Sequence, residues 1–375
     1  MSTAPTDHIA TLTGLRGVAA AWVMGFHLWL LAHAPAMTWA GVTWSTPLAI
    51  GYLGVDLFFV LSGFLLALPF LRWIDGLAPF PALGTYLLRR ALRVLPAFYL
   101  QLAILVVAGY VATGAWPIDA GQGLAYLSMQ FWLHPGMGPL LNGVWWTLPV
   151  EWNFYLLLPL LALLLSRARA WLVVLVVAVW VVSFRLAAYE SLFTGTLIFG
   201  IPADLYGAGM IHQIVGRIDQ FVLGLLAAWA WLRLGARAQR WATPALLMGL
   251  VAMGAIALDL QANGPVVDGG RVPLLFWHHS LTAAALALVT FGAAAGAPWG
   301  ARLFGGRVLG FLGLISYSLY LWHAVIFKFA ADSGIAQGAD AGWHALWLVP
   351  LVLAVSFASY YFVERPCIAY AHRKR

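Results

Sequence analysis

The sequence predicts an all-α protein, a polytopic helical bundle that crosses a membrane about ten times. The first observation behind this prediction is the composition: of the 375 residues, 63% are hydrophobic and 9% are charged, and the mean hydropathy is +0.88. A soluble domain carries about a quarter charged residues, and one core could not bury this excess of apolar side chains. Lipid must therefore surround much of the surface, which argues against a cytosolic enzyme, a nucleic-acid-binding domain and a disordered chain.

The second observation is the spacing of the apolar runs along the chain. A membrane-spanning helix needs about 20 mostly apolar residues, and the sequence holds ten runs of that kind. We expect them to form one domain over residues 1–375. The runs lie at roughly 14–34, 48–70, 94–114, 144–165, 170–187, 216–233, 242–260, 275–295, 309–330 and 343–363.

The third observation is the distribution of charge between the connectors. Alternate connectors hold 16 of the 20 basic residues but only three of the 13 acidic residues. Basic connectors stay on the cytoplasmic side of the bilayer, so this pattern predicts that both termini are cytoplasmic. The net charge of +7 is then a consequence of membrane topology and predicts no binding of nucleic acid.

Three further segments need an interpretation. Residues 32–34, Ala-His-Ala, resemble the small-residue cleavage site of a signal peptide, but the preceding apolar run is long and contains a histidine. We therefore expect the first span to be retained. The external stretches 115–143 and 188–215 are long for connectors, and each can be a surface loop or part of a re-entrant wall.

Arg16 and His27 are two ionisable residues of the first span. They are 11 positions apart, so they lie on one helical face and are separated by about 16 Å along the axis. This spacing predicts Arg16 at the cytoplasmic edge and His27 near the midplane. A neutral imidazole there can take a proton from a hydroxyl group, or it can simply hydrogen-bond between helices.

The fourth span carries Glu151 and Asn153 within a nearly all-apolar helix. Glu151 lies about 11 Å in from the outer end of this span, at a depth that approaches His27 from the opposite side. A carboxylate beside an imidazole orients the ring and stabilises imidazolium. We therefore expect Glu151 to act with His27.

Spans two and nine add further polar side chains. Asp56 and Ser62 lie in the second span, and Asp56 is deep enough to need a buried partner. Ser316, Tyr320 and His323 follow one another at helical spacing in the ninth span, so they form a stripe that can face the bundle interior. The alternative for this stripe is hydrogen bonding between helices.

Arg90 and Arg93 precede the third span in a cytoplasmic connector. Three positions apart on a helix, they share one face, and paired guanidinium groups suit the recognition of phosphate. The alternative is a basic anchor beside anionic lipid.

The remaining histidines suggest no metal site. His278 and His279 lie at the outer end of span eight, and we interpret them as interfacial. Histidines on separate spans can ligate haem, but these do not form matched pairs, and no metal-ligand spacing of the HExxH or CxxC kind occurs. We predict no metal and no permanently bound cofactor.

These segments, in this order, resemble acyltransferase family 3, whose membrane proteins O-acylate sugars and related hydroxyl compounds. Each segment alone is weak, but the ordered set is specific and spans nearly the whole chain. One departure is Trp152, where many relatives are expected to carry a second acid, so Glu151 is the sole acid there. The matching segments are 12–17 with His27, 54–64, 90–93, 146–151 with 154–155, 221–224, 316–323 and 364–366.

The resemblance implies a reaction and a role for each residue. The acyl group, usually acetyl, comes from cytoplasmic acyl-CoA as a co-substrate and goes to a hydroxyl of a carbohydrate or similar acceptor. His27 would act as general base with Arg16 and Glu151, by direct transfer or through an acyl-histidine. Arg90, Arg93 and Ser62 would bind the donor.

The resemblance also implies the acceptor site, the membrane and the extent of the chain. The pocket for the acceptor would be lined by Asp56, Asn153, Ser316, Tyr320 and His323. The protein would lie in the inner (plasma) membrane. We expect no fused extracytoplasmic domain, because the chain ends about 12 residues after the last predicted span.

A transporter or a flippase of a lipid-linked or glycosidic substrate is the competing class. Such a protein would also have many spans and ionisable residues at the midplane. Release of CoA by the purified protein, dependent on an acceptor, distinguishes the two classes.

Overall fold

The computed structural model describes residues 10–39, 42–134, 140–167, 170–194, 212–263, 272–334 and 341–373. Within these ranges the chain is helical apart from connectors and one antiparallel pair of two-residue strands, β1 (Thr38–Trp39) and β2 (Val42–Thr43). The predicted all-α class is therefore confirmed. Most of the predicted external stretch 188–215 lies outside the described residues.

The helices follow the predicted apolar runs. In chain order they are α1 (Ala10–Leu31), α2 (Thr46–Ala49), α3 (Gly54–Ile74), α4 (Leu83–Thr113), α5 (Ala120–Leu127), α6 (Thr147–Arg167), α7 (Ala170–Thr194), α8 (Ile214–Leu234), α9 (Ala238–Asn263), α10 (Val272–Ala294), α11 (Pro298–Phe304), α12 (Arg307–Leu314), α13 (Ser316–Asp332), α14 (Ala341–Ser359) and α15 (Arg365–Arg373). Short 3-10 turns lie at Gly51–Leu53, Phe131–Leu133, Gly143–Trp146 and Gly235–Arg237, and a π-helical segment lies at Tyr360–Glu364.

Seven stretches of the described residues are long and apolar enough to cross a membrane, or up to nine if each of two bent helix pairs is one span. One of the seven is the 49-residue stretch Ile214–Ala262, which contains both α8 and α9. At about 1.5 Å per residue it would extend roughly 70 Å, more than twice a hydrocarbon core. A multi-pass membrane protein is thus confirmed, while ten spans and cytoplasmic termini stay predictions.

The predicted span 309–330 is not one straight helix, which corrects the sequence interpretation. Helices α12 and α13 meet at Ile315 and are bent by 75°. On the α12 side of the bend, the backbones of α1 and α12 touch. A Cβ atom at Gly17 would collide with the carbonyl oxygen of Leu309, and one at Gly313 with that of Thr13.

Two compact units make up the chain, and each is discontinuous in sequence. Unit 1 comprises residues 1–68 and 220–357, and unit 2 comprises residues 69–219 and 358–375. The prediction of a single domain over the whole chain is not tested by this division and stays a prediction.

The core of unit 1 is built around α1. Leucine and alanine side chains of this helix are buried, and Ala20 packs with Leu319, Phe327 and Leu348 from α13 and α14. Glycines permit a second close approach, between α3 and α8, where Gly63 lies against the carbonyl of Phe221. Small residues at helix interfaces are the usual means of close packing in membranes.

Unit 2 differs from the prediction at α4. This helix begins at Leu83, so Arg90 and Arg93 lie on its first turns and not in a connector. The stretch that follows α4, predicted to be external, is also structured in its described part: the side chains of Asp119 and Gln122 cap α5 reciprocally. Tyr126 and Phe131 are buried, so this stretch packs as part of the unit.

Candidate active site

Two predicted polar stripes face each other in unit 1. Arg16 Nη2 of α1 donates to Ser316 Oγ of α13 at 3.3 Å. Further along both helices, His27 Nδ1 lies 3.2 Å from His323 Nε2, and the two rings meet edge to face with centroids 4.9 Å apart. From the first pair to the second, the residue numbers increase along both helices, so α1 and α13 run in the same direction. The sequence predicted each stripe, but not that they pair.

The backbone holds both imidazoles of this pair. His27 Nδ1 lies 2.9 Å from the carbonyl oxygen of Val23, and His323 Nδ1 lies 2.9 Å from that of Leu319, in each case four residues earlier on the same helix. His323 is fully buried, whereas His27 is half-buried. Within the described residues, no hydrogen bond engages His27 Nε2. This nitrogen is therefore available for chemistry.

Aromatic rings surround the histidine pair. Phe26 packs edge to face on His27, with ring centroids 5.2 Å apart, and Tyr52 packs on Phe26 at 5.7 Å. Tyr320 is 6% exposed, and its ring lies 5.9 Å from that of His323. Tyr320 thus faces the interior, as its position in the stripe predicted, and its role in an acceptor pocket stays a prediction.

Asp56 has a buried partner, Gln220, as its depth predicted, and a half-buried one, His279. Its Oδ1 accepts hydrogen bonds from Gln220 Nε2 and His279 Nδ1, both at 2.8 Å, and the side chain is 1% exposed. The sequence predicted neither partner, and the interfacial position of His278 and His279 stays a prediction. His278 is buried within the protein and contacts the hydroxyl of Tyr52 at 3.3 Å. The only signal in the sequence was a histidine doublet at a helix end.

Ser62 lies half-buried on α3 in unit 1. Nothing in its surroundings tests its predicted role in donor binding, which stays a prediction.

In unit 2, Glu151 belongs to a cluster with Arg90 and two tyrosines. The carboxylate is hydrogen-bonded to the Tyr155 side chain, and Tyr86 donates its hydroxyl hydrogen to the carbonyl of Tyr155 at 3.2 Å. Arg90 and Glu151 both act electrostatically on these two tyrosines. The unit therefore brings Arg90 and Glu151 into one polar cluster, an arrangement that sequence analysis did not predict.

Arg93 has a partner of its own in unit 2. Its Nη1 lies 3.3 Å from Glu364 Oε2, and the side chains are 19% and 1% exposed. Glu364 lies in the π-helical segment before α15, and such segments are frequent at functional sites. In the sequence, Glu364 is notable only as part of the segment 364–366 that carries the resemblance. The ion pair distinguishes Arg93 from Arg90, although the sequence predicted the same role for both.

Asn153 anchors the stretch between α4 and α6. Its amide exchanges hydrogen bonds with Gln130, at 2.9 and 3.3 Å, and Trp132 Nε1 donates to the same Gln130. The predicted role of Asn153 in the acceptor pocket is not tested by this contact. The amide pair explains why a polar residue is kept inside an apolar helix.

Comparison with known proteins places the chain in a family. A family model described as an acyltransferase domain matches residues 9–363. The exopolysaccharide production protein ExoZ of Rhizobium meliloti (strain 1021) is 26% identical over 341 residues, which cover 87% of this chain and 92% of that protein. No solved structure matches the chain.

Two further relatives have names that describe group transfer. A protein of Staphylococcus aureus (strain COL), named "Putative O-acetyltransferase SACOL0978", is 25% identical over 96% of this chain and 57% of its own length. The chain thus spans little more than half of that relative. "Putative membrane-bound transacylase BcsY" of Komagataeibacter xylinus is 26% identical, over 98% of this chain and 85% of that protein. Because the family match covers nearly every residue, the chain belongs to acyltransferase family 3.

Proposed function

We propose that the chain is a membrane O-acyltransferase that moves an acetyl or related acyl group from acyl-CoA to a hydroxyl of a carbohydrate. Family membership and the names of the relatives support acyl transfer, and the name of ExoZ supports an exopolysaccharide as acceptor. The observation that carries the proposal is His27: its Nδ1 is held by the backbone, and its Nε2 is unengaged within the described residues.

The proposed chemistry uses His27 Nε2 as general base. It accepts the proton of the acceptor hydroxyl while the oxygen attacks the thioester carbonyl carbon, and a C–O bond forms as the C–S bond breaks. The imidazolium then returns the proton to the departing sulfur, so the products are the ester and CoA thiol. This direct route needs no acyl-enzyme and no bound cofactor.

The remaining residues receive roles by unit. In unit 1, Arg16 fixes the base-bearing face of α1 through Ser316. In unit 2, we assign Arg90 to the phosphates of the donor, because Arg93 is engaged with Glu364. Glu151 keeps its predicted catalytic role, and Glu151→Gln is expected to lower the rate.

The test is acyl transfer by purified protein in detergent. With acetyl-CoA and oligosaccharides isolated from a strain lacking the gene, the wild type should release CoA thiol and acetylate the sugar, as mass spectrometry would show. Loss of a general base costs about 10² to 10⁴ in rate, so His27→Ala should lose at least about a hundredfold while folding and binding acetyl-CoA normally.

Exposed His33 supplies the matched control, and His33→Ala should stay within a fewfold of wild type. Near-normal acyl transfer by a folded His27→Ala variant would show that His27 is not the general base. A wild type that releases no CoA thiol in detergent, yet moves substrate across the bilayer when reconstituted in liposomes, would favour a transporter instead.

A further inference from the structure

The hydrogen bonds of the histidine pair fix where its protons lie. A carbonyl oxygen can only accept, so the contacts of Val23 and Leu319 place a hydrogen on Nδ1 of both His27 and His323. In a neutral imidazole the other nitrogen then carries a lone pair. Both rings are therefore in the Nδ1–H form while the pair is neutral.

The contact between the two rings is consistent with a hydrogen bond in one direction only, from His27 to His323. His323 Nε2 lies 3.2 Å from His27 Nδ1, so the Nδ1–H group of His27 is shared between the Val23 carbonyl and the lone pair of His323. A proton added to His323 Nε2 would point this N–H group at the Nδ1–H group of His27, and the two donors would repel each other. The pair can accept one proton without rearrangement, and only at Nε2 of His27.

We propose that His323 is a positioning residue that holds the His27 ring and stabilises the imidazolium formed when His27 takes the hydroxyl proton. This inference rests on the proposed function and deepens it. His323 stands on the Nδ1 side of the base, where hydrolytic triads place a carboxylate. It stays neutral as His27 gains and returns its proton, so the site avoids a second charge inside the membrane, where charge is costly.

Burial and packing agree with this role. His323 is 0% exposed, its Nδ1 is engaged by the helix backbone, and its ring is packed by Tyr320 and Phe327. A fully enclosed ring whose one lone pair faces another imidazole cannot reach a substrate. His323 is thus assigned to hold His27, and not to line the acceptor pocket as the sequence suggested.

The test compares three substitutions by steady-state kinetics with acetyl-CoA and oligosaccharides from the deletion strain. His323→Phe removes the acceptor and should lower kcat by about 10–100-fold, with KM for both substrates within about twofold, because a hydrogen bond to a charged group is lost in the transition state. His323→Gln offers an amide oxygen to His27 Nδ1–H and should recover kcat to within about fivefold of wild type. Phe327→Leu alters packing on the same ring and should leave kcat within about threefold.

Wild-type kcat in His323→Phe, or equal loss in the Phe and Gln variants, would overturn the inference. The ¹⁵N NMR spectrum of histidine-labelled protein tests the pairing separately, because it should show protonated Nδ1 and unprotonated Nε2 for both residues. An unprotonated His27 Nδ1 would overturn the inference even if acyl transfer is observed. Absence of acyl transfer by wild type would instead overturn the proposed function, and the spectrum alone would then decide the pairing.

Discussion

At the scale of single residues, the structure separates side chains that look equivalent in the sequence. Arg90 and Arg93 share a helical face, yet Arg93 pairs with buried Glu364, whereas Arg90 lies in the cluster of Glu151 and the two tyrosines. Losing one partner of a buried ion pair leaves an uncompensated charge. The two arginines should therefore respond differently to substitution.

Arg93→Ala is expected to lower the free energy of unfolding by about 2–4 kcal/mol, because the buried Glu364 carboxylate loses its ion pair with Arg93. Arg90→Ala should instead weaken acetyl-CoA binding by about 1.5–3 kcal/mol and leave acceptor affinity unchanged. Thermal unfolding in detergent and isothermal titration with acetyl-CoA measure these effects. Equal loss of acetyl-CoA affinity in both variants, with unchanged stability, would show that Arg93 also binds the donor.

At the scale of elements, glycines decide how closely the helices of unit 1 approach. Gly14, Gly17 and Gly313 let α1 touch the backbones of α11 and α12, where any Cβ atom would strike a carbonyl group. A Cβ atom added at Gly254 of α9 would meet no atom within 4 Å, so this helical glycine has no packing role among the described residues. Gly17 and Gly254 therefore form a matched pair for substitution.

Gly17→Ala should destabilise the protein by about 1–3 kcal/mol, since the added methyl group forces α1 and α12 apart. Gly254→Ala should be neutral or stabilising by up to about 1 kcal/mol, because alanine restricts the unfolded chain and favours helix. Thermal unfolding of the two variants beside wild type is the measurement. A Gly17→Ala protein as stable as wild type would show that α12 does not pack against α1 in this way.

At the scale of the whole molecule, charge predicts the topology. The parallel course of α1 and α13 agrees with their predicted places as the first and ninth spans, both crossing outward from the cytoplasm. Reporter fusions after residues 169 and 375 should therefore read cytoplasmic, and a fusion after residue 264 should read external. An external reading at residue 375 would exclude the arrangement of ten spans with both termini cytoplasmic.

The sequence by itself determined what depends on local composition and spacing. Apolar runs predicted the helices, the 11-residue spacing put Arg16 and His27 on one face of α1, and helical spacing put Ser316 and His323 on one face of α13. These features follow from helix periodicity and from the solvent around the helix, so they need no knowledge of distant residues.

Only the tertiary structure decided the partners. His27 meets His323 across 296 positions, Asp56 meets His279 across 223, and Glu364 pairs with Arg93 from the other segment of unit 2. Many polar side chains in an apolar span could pair with one another, and the lowest free energy depends on which helices approach closely enough to hydrogen-bond. That approach is set by packing between helices far apart in sequence, which no local pattern encodes.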